Sequence, residues 1–270
     1  MSFLKIATWN VNSLRVRLAQ LEEWLAAVQP DILCLQETKV RDRDFPVAAF
    51  SALGYHVVFH GQPSYNGVAI AARGALTDVT VGLEAFADEQ CRVLSASYRG
   101  MRVACLYVPN GTALDSPRYP YKLEWLRALR DQTTRWLASY PALVLAGDFN
   151  IAPEDRDVYD PEAWRGAVLV SEPERAAFRE IAALGFTDAL RVIGGDDCGF
   201  SWWDYRGGAF RRNLGLRIDH ILLSAPLAQL GLRCYVDRDA RGHARPSDHA
   251  PVVAELAWPA NGASEPHPAP

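Results

Sequence analysis

The stretch Leu143-Val-Leu-Ala-Gly-Asp-Phe-Asn150 sets four apolar residues in a row before Gly-Asp-Phe-Asn and a proline-containing turn. An uninterrupted apolar run belongs to a strand covered on both faces, because a half-exposed strand alternates apolar with polar residues. That restricts the chain to layered architectures, with other elements above and below the sheet. The end of the run adds a second constraint. Alternate residues of a strand share a face, so Asp148 and Asn150 are expected to project together while Phe149 points away. Gly, Asp and Asn also favour turns for backbone reasons, and Ala152-Pro153 enforces an extended or turning chain, so a plain turn accounts for this motif equally well.

Five other segments repeat the pattern. "IATWNVNSLR" puts Asn10 and Asn12 on one face at a strand end, "DILCLQE" closes on Gln36 and Glu37, and "YVPNG" sets Tyr107 before a Pro-Asn-Gly turn. "LRIDHILLS" places Asp219 within an apolar strand, where an ionised carboxylate is costly unless paired. "PSDHAPVV" puts Asp248 and His249 ahead of another strand. Taken singly, each is explained by a turn, a helix cap or a satisfied core polar group. Together they point to a functional mouth, because functional residues gather where strands open into loops.

Helical patterns over 18–28, 119–138 and 173–184 alternate with strand patterns at 5–11, 31–37, 55–61, 67–73, 92–98, 102–108, 143–150, 217–224 and 250–257. Several neighbouring strands suit antiparallel pairing, which disfavours a purely parallel doubly wound sheet. The expected class is α/β: a four-layer α/β/β/α sandwich of two packed mixed sheets with helices on the outer faces. The helix-then-strand units 18–36 and 119–148 suggest a weak internal duplication. With no internal linker, residues 1–257 are expected to form a single domain and 258–270 a disordered tail.

The first residues pass directly into a strand and no run approaches a membrane span, so neither export nor membrane insertion is expected. Five cysteines lack CxxC spacing, and Cys34 and Cys105 fall in apolar strands, which suggests reduced core thiols in a cytoplasm. The net charge of −4 does not advertise nucleic-acid binding, but charge is unevenly spread. Between Trp202 and His249 eight arginines face five aspartates, with no lysine or glutamate. A solvated face accounts for this too, so the segment permits nucleic-acid binding without diagnosing it.

In order, "WNVNSLR", "LCLQETK", "YVPNG", "GDFNIAPEDRDV", "SWWDYR", "GLRIDH" and "SDHAPV" resemble the exonuclease III family of DNA-repair nucleases, from residue 4 to about residue 257. The shorter Asn, Glu, Gly-Asp-Phe-Asn and Ser-Asp-His elements are shared with a wider superfamily that includes inositol-phosphate phosphatases and sphingomyelinases. "SWWDYR" and "GLRIDH" are what point to the exonuclease III branch. Ser13 departs from the pattern, standing where the family commonly has glycine.

The resemblance implies a Mg²⁺-dependent phosphodiesterase, with Mn²⁺ as a substitute, that cuts duplex DNA 5′ to abasic sites and removes nucleotides or blocking groups from 3′ ends. Glu37 and Asp248 become the metal ligands, with the Asn12 amide as a third; hard cations take oxygen ligands, and the histidines and cysteines lack zinc-type spacing. Asp148 holds the attacking water and Asn150 orients it, Asp148 being either the base or the leaving-group acid. Asp219 fixes His249 as a cation for a phosphoryl oxygen, and Asn10 and Tyr107 complete the clamp. Trp202, Leu216 and nearby Phe210 are expected to line a pocket for a flipped, baseless sugar. One of Trp202 and Trp203 is expected in the core, since strand neighbours face opposite ways. Arg92, Arg206, Arg211 and Arg212 are candidates for phosphate contacts. The implied protein is a monomer of the bacterial cytoplasm that acts on duplex DNA. Two rivals remain: a phosphoinositide or phospholipid phosphoesterase of the same fold, which the aromatic-and-arginine segment disfavours, and a catalytically dead DNA-binding module, which would lack a ligand or water-holding residue.

Overall fold

Two six-stranded mixed sheets take up the apolar runs in the computed structural model, which describes residues 2–193, 199–230 and 232–258. The first sheet contains β1 (Ser2–Asn10), β2 (Ile32–Gln36), β3 (His56–His60), β4 (Val68–Ala72), β13 (Leu232–Val236) and β14 (Val252–Trp258), in the order β13-β14-β1-β2-β4-β3. The second contains β5 (Thr77–Val81), β6 (Val93–Tyr98), β7 (Met101–Tyr107), β8 (Leu143–Asp148), β9 (Phe186–Asp188) and β12 (Asp219–Ser224), in the order β5-β6-β7-β8-β12-β9. Trp202–Trp203 (β10) and Gly215–Leu216 (β11) form a separate short ribbon.

Three apolar layers hold these sheets. Ile6, Cys34, Ile70, Val103, Cys105, Val144, Ile221 and Ala254 lie between the sheets and form the central core. The outer face of the first sheet packs on α1 (Leu14–Val28) and α2 (Val47–Ala52), through Trp9, Leu21, Trp24, Leu25 and Phe50. The outer face of the second packs on α3 (Arg118–Ser139) and α4 (Glu172–Ala182), through Trp125, Leu129, Trp136, Phe149, Phe178 and Ile181. Strands β2, β4 and β8 are buried along their whole length because each is covered on both faces, whereas the polar edge strand β5 is exposed throughout. The four-layer α/β/β/α arrangement expected from the sequence is the one found.

The duplication is visible in the pairing. In each sheet one parallel pair, β1/β2 or β7/β8, is joined by a long helix and flanked by antiparallel partners: β14 and β4 in one sheet, β6 and β12 in the other. Close approach fixes Gly147 in β8, where a Cβ would stand 1.9 Å from the Leu106 carbonyl oxygen.

Several elements were not anticipated: the edge strands β5, β9 and β13, the short ribbon, α2, and the one-turn helices α5 (Ala189–Ile193) and α6 (Ala225–Ala228). These have too few residues, or too little apolar periodicity, for a pattern to register. The first helix starts at Leu14, four residues ahead of expectation. Trp258 ends β14 and is buried, so it is not part of a tail; the rest of the expected tail lies outside the described residues. Cys34, Cys91 and Cys105 are buried free thiols, and Cys234 is buried as well. No helix among the described residues is long and apolar enough to cross a membrane.

Candidate active site

One end of the sandwich collects all six polar strand ends. The parallel strands β1, β2, β7 and β8 finish there, and the antiparallel partners β12 and β14 begin there. Tyr107 lies opposite Asp148 in the register, and Asp148 lies directly opposite Asp219. Asp219 is therefore the first residue of its strand rather than an interior one, which corrects the expectation and explains how it reaches the mouth.

A second correction concerns what turns the side chains inward. Asn12 and Asn150 lie beyond their strands with left-handed backbones, φ 42° and 50°, as do Glu37 at 50° and Lys39 at 54°. A period of two does not apply to such residues. A left-handed non-glycine residue costs of order 1–3 kcal/mol and persists where the surroundings fix it, commonly at functional sites. Asx bonds fix it here: the Asn12 N–H donates to Asn10 Oδ1 at 2.9 Å, and the Asn150 N–H donates to Asp148 Oδ1 at 2.9 Å. Ser13, the departure from the family pattern, has φ 93° and donates its N–H to the Glu37 carbonyl at 2.8 Å. Glycine is the unstrained choice in that region, so serine carries a strain cost there.

Asp148 and His249 form the centre. His249 Nδ1 lies 2.9 Å from Asp219 Oδ2 and its Nε2 lies 3.8 Å from Asp148 Oδ2, so the ring stands between two buried carboxylates. Ser201 Oγ donates to the same Asp219 oxygen at 2.6 Å. Burial disfavours the imidazolium, but the charges of Asp219, Asp148 and Asp248 outweigh it and raise the pKa to about 10. That balance of charges favours the imidazolium form over the neutral ring that a base would need. Burial, with the neighbouring Asp219 and Glu37 charges, lifts Asp148 to about 7, opposed by His249 and the Asn10 amide. That places a proton-transferring carboxylate near neutrality.

Beside this centre lies an oxygen-only cluster. Asn10 Nδ2 donates to Glu37 Oε1 and to Asp148 Oδ2, both at 2.9 Å, and so ties the cluster to the Asp148 carboxylate. Asn12 Nδ2 donates to Asp248 Oδ1 at 2.9 Å. The Lys39 ammonium bridges Glu37 Oε2 at 2.8 Å and Asn12 Oδ1 at 2.5 Å. A cationic group thus already sits between two of the three expected metal ligands, and the donor set suits a hard divalent cation. Burial works against ionisation of Glu37 and Asp248, yet both pKa values are lowered, Glu37 by Lys39 and Asn10, Asp248 by His249 and the Asn12 and Trp202 donors. Asp148, Asp219 and His249 also come within 4.8 Å of one another and offer a second acidic group able to hold a metal. The bonded, cationic histidine makes that set the poorer ligand site, since a coordinating histidine must be neutral.

Tyr107 is half-buried against Glu37 and Asp148; desolvation and those two charges push its hydroxyl well above the usual tyrosine range, which favours the neutral phenol. Arg92 does not face solvent as a phosphate contact would. Its guanidinium stacks 4.6 Å over the Tyr107 ring, donates twice to Gln90 Oε1 and reaches the Tyr107 carbonyl at 3.3 Å, so it orients Tyr107. Both residues line a cavity of ≈ 470 Å³ with Tyr65, Asn110, Arg118 and Tyr121.

Trp202 and Leu216 face each other across the β10/β11 ribbon and pack in one cluster, with Leu216 fully buried. Trp202 also donates its indole N–H to Asp248 Oδ2 at 3.0 Å, a tie between the ribbon and the candidate cation cluster that the sequence pattern does not reveal. Trp203 is the core member of the pair. Phe210 belongs with Trp203, their rings 5.1 Å apart edge to face, and not with Trp202, so it does not line the expected sugar pocket. Arg206, Arg211 and Arg212 are exposed on the adjoining loop.

The reading also missed Asn110, whose Nδ2 donates to Asn150 Oδ1 at 3.0 Å, together with Lys39, Ser201 and Ser247. All four stood inside quoted motifs, in "YVPNG", "LCLQETK", "SWWDYR" and "SDHAPV". The signal was present, and the choice of one or two residues per motif discarded it.

The Endonuclease/Exonuclease/phosphatase family model matches residues 7–249. Exodeoxyribonuclease III of Haemophilus influenzae is 33% identical over 94% of this chain and 100% of its own length. Among solved structures, the 3′ phosphatase NExo from Neisseria, bound to a product DNA hairpin, superposes with a TM-score of 0.93 at 48% identity, covering 94% of this chain and all of that one. An AP endonuclease from Archaeoglobus fulgidus gives a TM-score of 0.90 at 44% identity over 93% of this chain and 98% of that one. With the mouth built as described, the chain belongs to the Endonuclease/Exonuclease/phosphatase family, in its exonuclease III branch of DNA-repair nucleases.

Proposed function

We propose that this protein is a monomeric, Mg²⁺-dependent DNA-repair phosphodiesterase that cuts duplex DNA 5′ to abasic sites and clears nucleotides, phosphates and other blocking groups from 3′ ends. The observation that carries the reading is the Asn10 amide joining Glu37 of the cation cluster to Asp148 of the His249–Asp219 pair. Residues 1–257 act as one unit in the cytoplasm. The relatives are nucleases, which disfavours a phosphoinositide or phospholipid substrate.

Glu37 and Asp248, with the Asn12 amide oxygen, would hold the metal; when bound, it neutralises charge on the phosphate oxygens. The other roles belong to the chain. Asp148, bonded by Asn150 and Asn10, holds the water that attacks phosphorus. The imidazolium of His249 and the hydroxyl of Tyr107 donate to the non-bridging oxygens as negative charge grows there. A P–O bond forms to the water and the P–O bond to the departing sugar 3′-oxygen breaks. One proton leaves the water and one reaches the departing oxygen. Asp148 is suited to either transfer, and the sign of the pH profile separates the two.

The test uses three duplexes, one abasic, one with a 3′-phosphate and one intact. Chelator should abolish all three activities and Mg²⁺ restore them, with abasic and 3′-phosphate substrates preferred. Full activity in excess chelator, or equal rates on the three, would overturn the reading.

A further inference from the structure

The chain uses arginine 25 times and lysine three times, and one of the lysines is wholly buried beneath the catalytic mouth. Lys122, in the second turn of α3, and Glu174, in the first turn of α4, are both shut off from solvent. The ammonium has three protons and meets three acceptors: Glu174 Oε1 at 2.5 Å, the Asn150 carbonyl at 2.6 Å and the Asn110 carbonyl at 3.1 Å. Glu174 is equally occupied. Its Oε1 also accepts the Leu169 N–H at 3.0 Å, and its Oε2 accepts the Ser171 N–H at 3.1 Å and the Ser171 hydroxyl.

The two carbonyls are not arbitrary partners. They belong to the residues whose side chains lead to the catalytic carboxylate: Asn110 Nδ2 donates to Asn150 Oδ1 at 3.0 Å, and Asn150 donates its N–H and Nδ2 to Asp148 at 2.9 and 3.2 Å. Asn150 has a left-handed backbone, so its carbonyl leaves the sheet ladder and needs another donor. Gly111 lets the neighbouring loop close on the lysine stem, since a Cβ there would lie 3.2 Å from Lys122 Cδ. A compact ammonium meets acceptors arranged around one point, whereas a planar guanidinium fork does not. That accounts for a lysine in a chain that otherwise prefers arginine. Burial pushes the Lys122 ammonium below the usual lysine range, and the Glu174 carboxylate opposes that push and keeps the charge in place.

We propose that the buried Lys122–Glu174 pair is a positioning device, whose ammonium fixes the Asn110 and Asn150 carbonyls and thereby aims the Asn150 amide and the Asp148 carboxylate at the attacking water. Lys122 touches no substrate. The proposal rests on Asp148 and Asn150 holding that water. A pair that only joined α3 to α4 would be replaceable by uncharged side chains, because buried ion pairs add little net stability over well-packed substitutes.

The test is an activity cycle on a duplex with a 3′-phosphate at saturating Mg²⁺. It compares wild type, Asn150→Ala, the paired variant Lys122→Met with Glu174→Gln, and all three changes together. The paired variant should keep its circular dichroism and a KM within about threefold, yet lose about tenfold to a hundredfold in kcat, the scale of a small misplacement of reacting groups. With Asn150 already truncated, the paired change should cost nothing further. Losses that multiply, or an unchanged kcat in the paired variant, would overturn the proposal. If the paired variant does not fold, Lys122→Arg goes through the same cycle, where a kcat loss that disappears in the Asn150→Ala background supports the proposal and any other result overturns it. A wild-type kcat in Asn150→Ala instead sinks the assignment of Asn150 as a water-holding group. Amide NMR adds a readout besides activity, because the Asn110 and Asn150 resonances should shift in the paired variant while those of β3 and β4 stay in place.

Discussion

Two buried clusters of acid and histidine meet at one tetrapeptide, Arg217-Ile-Asp-His220. Asp219 turns to the mouth and bonds His249. On the other side, Arg217 donates to Asp157 and Asp188, each at 2.6 Å, and to His220 Nδ1 at 2.9 Å, while His220 Nε2 donates to the Ile151 carbonyl at 2.9 Å. The residue types are nearly the same, and what separates the clusters is a guanidinium. In the closed cluster, burial disfavours the Asp188 carboxylate, but the Arg217 guanidinium holds it well below the usual carboxylate range. Among the described residues no guanidinium is in contact with Asp148 in the mouth, and burial wins: its pKa goes up to about 7. One cluster has its charges compensated internally and the other keeps a carboxylate in need of a partner. That is the expected difference between a structural network and a catalytic one.

The comparison predicts opposite phenotypes. Asp148→Asn should lose about 10²–10⁴-fold in kcat, because under the proposed function Asp148 takes part in every hydrolysis. It should unfold at the same temperature as wild type or higher, since it relieves a buried carboxylate facing Asp219. Arg217→Met should do the reverse, destabilising by about 3–5 kcal/mol by stranding Asp157 and Asp188 while leaving the chemistry of the folded fraction near wild type. Urea unfolding and single-turnover rates on the two proteins check this. If Asp148→Asn is destabilised as much as Arg217→Met, the clusters do not differ in the way argued.

The pH–rate profile sharpens the same contrast. If Asp148 is the base, kcat at saturating metal should rise with pH through about 7 and fall as His249 loses its proton near about 10. If Asp148 protonates the leaving oxygen, activity should already be falling through the lower value, so the slope there assigns the role. Asp219→Asn should lower the His249 pKa, because the carboxylate that raised it is gone; the activity lost at neutral pH should partly return at lower pH. An unchanged His249 titration by NMR in that variant would remove the Asp219 contribution altogether.

Acid stability tests the closed cluster. Asp188 has a depressed pKa in the folded protein, so its contribution is complete above the ordinary carboxylate range of about 4 and is lost as the pH falls through the folded value. Asp188→Asn should therefore be less stable than wild type at neutral pH, with the gap narrowing below about pH 4. Urea midpoints across that range decide it, and a gap of constant size would show that Asp188 contributes by packing alone.

The layers, the long helices and the strand ends were legible in the sequence because they rest on apolar periodicity and run length, which Leu143–Ala146 and Ile32–Leu35 display without interruption. The members of the mouth were legible by type. Their geometry was not. Asn12, Glu37 and Asn150 reach the site through left-handed turns, which depend on Asx bonds and on contacts between loops far apart in the chain. The packing partners of Arg92 and Phe210 were illegible for a related reason, since both residues were placed by proximity in sequence while Tyr107 and Trp203 are brought to them by packing. The Arg217 network was not legible as a network, although Asp157, Arg217 and His220 stand inside quoted motifs, because they and Asp188 converge only once the second sheet is built.

The smallest effect expected concerns Trp202, and it comes from the open cluster's dependence on neutral donors. Where the closed cluster uses a guanidinium, Asp248 uses the indole N–H of Trp202 and the amide of Asn12. Trp202 thus does two things, and replacing it by alanine removes both at once. Trp202→Phe keeps an aromatic wall against Leu216 and deletes only the N–H, at a cost of about 1–3 kcal/mol for a hydrogen bond to a charged group. Its signature should be a higher Mg²⁺ concentration for half-activity with the preference for abasic duplex over intact 3′ ends unchanged. Trp202→Ala should raise the Mg²⁺ requirement by a similar amount and also lower the preference by roughly tenfold to a hundredfold, if the wall contributes about 1–3 kcal/mol to holding the flipped sugar. Metal titrations on both substrates separate the two contributions. A Trp202→Phe protein with wild-type Mg²⁺ dependence would mean that Asp248 needs no support from the ribbon, and a preference lost equally in both variants would mean that the N–H, not the ring face, recognises the abasic site.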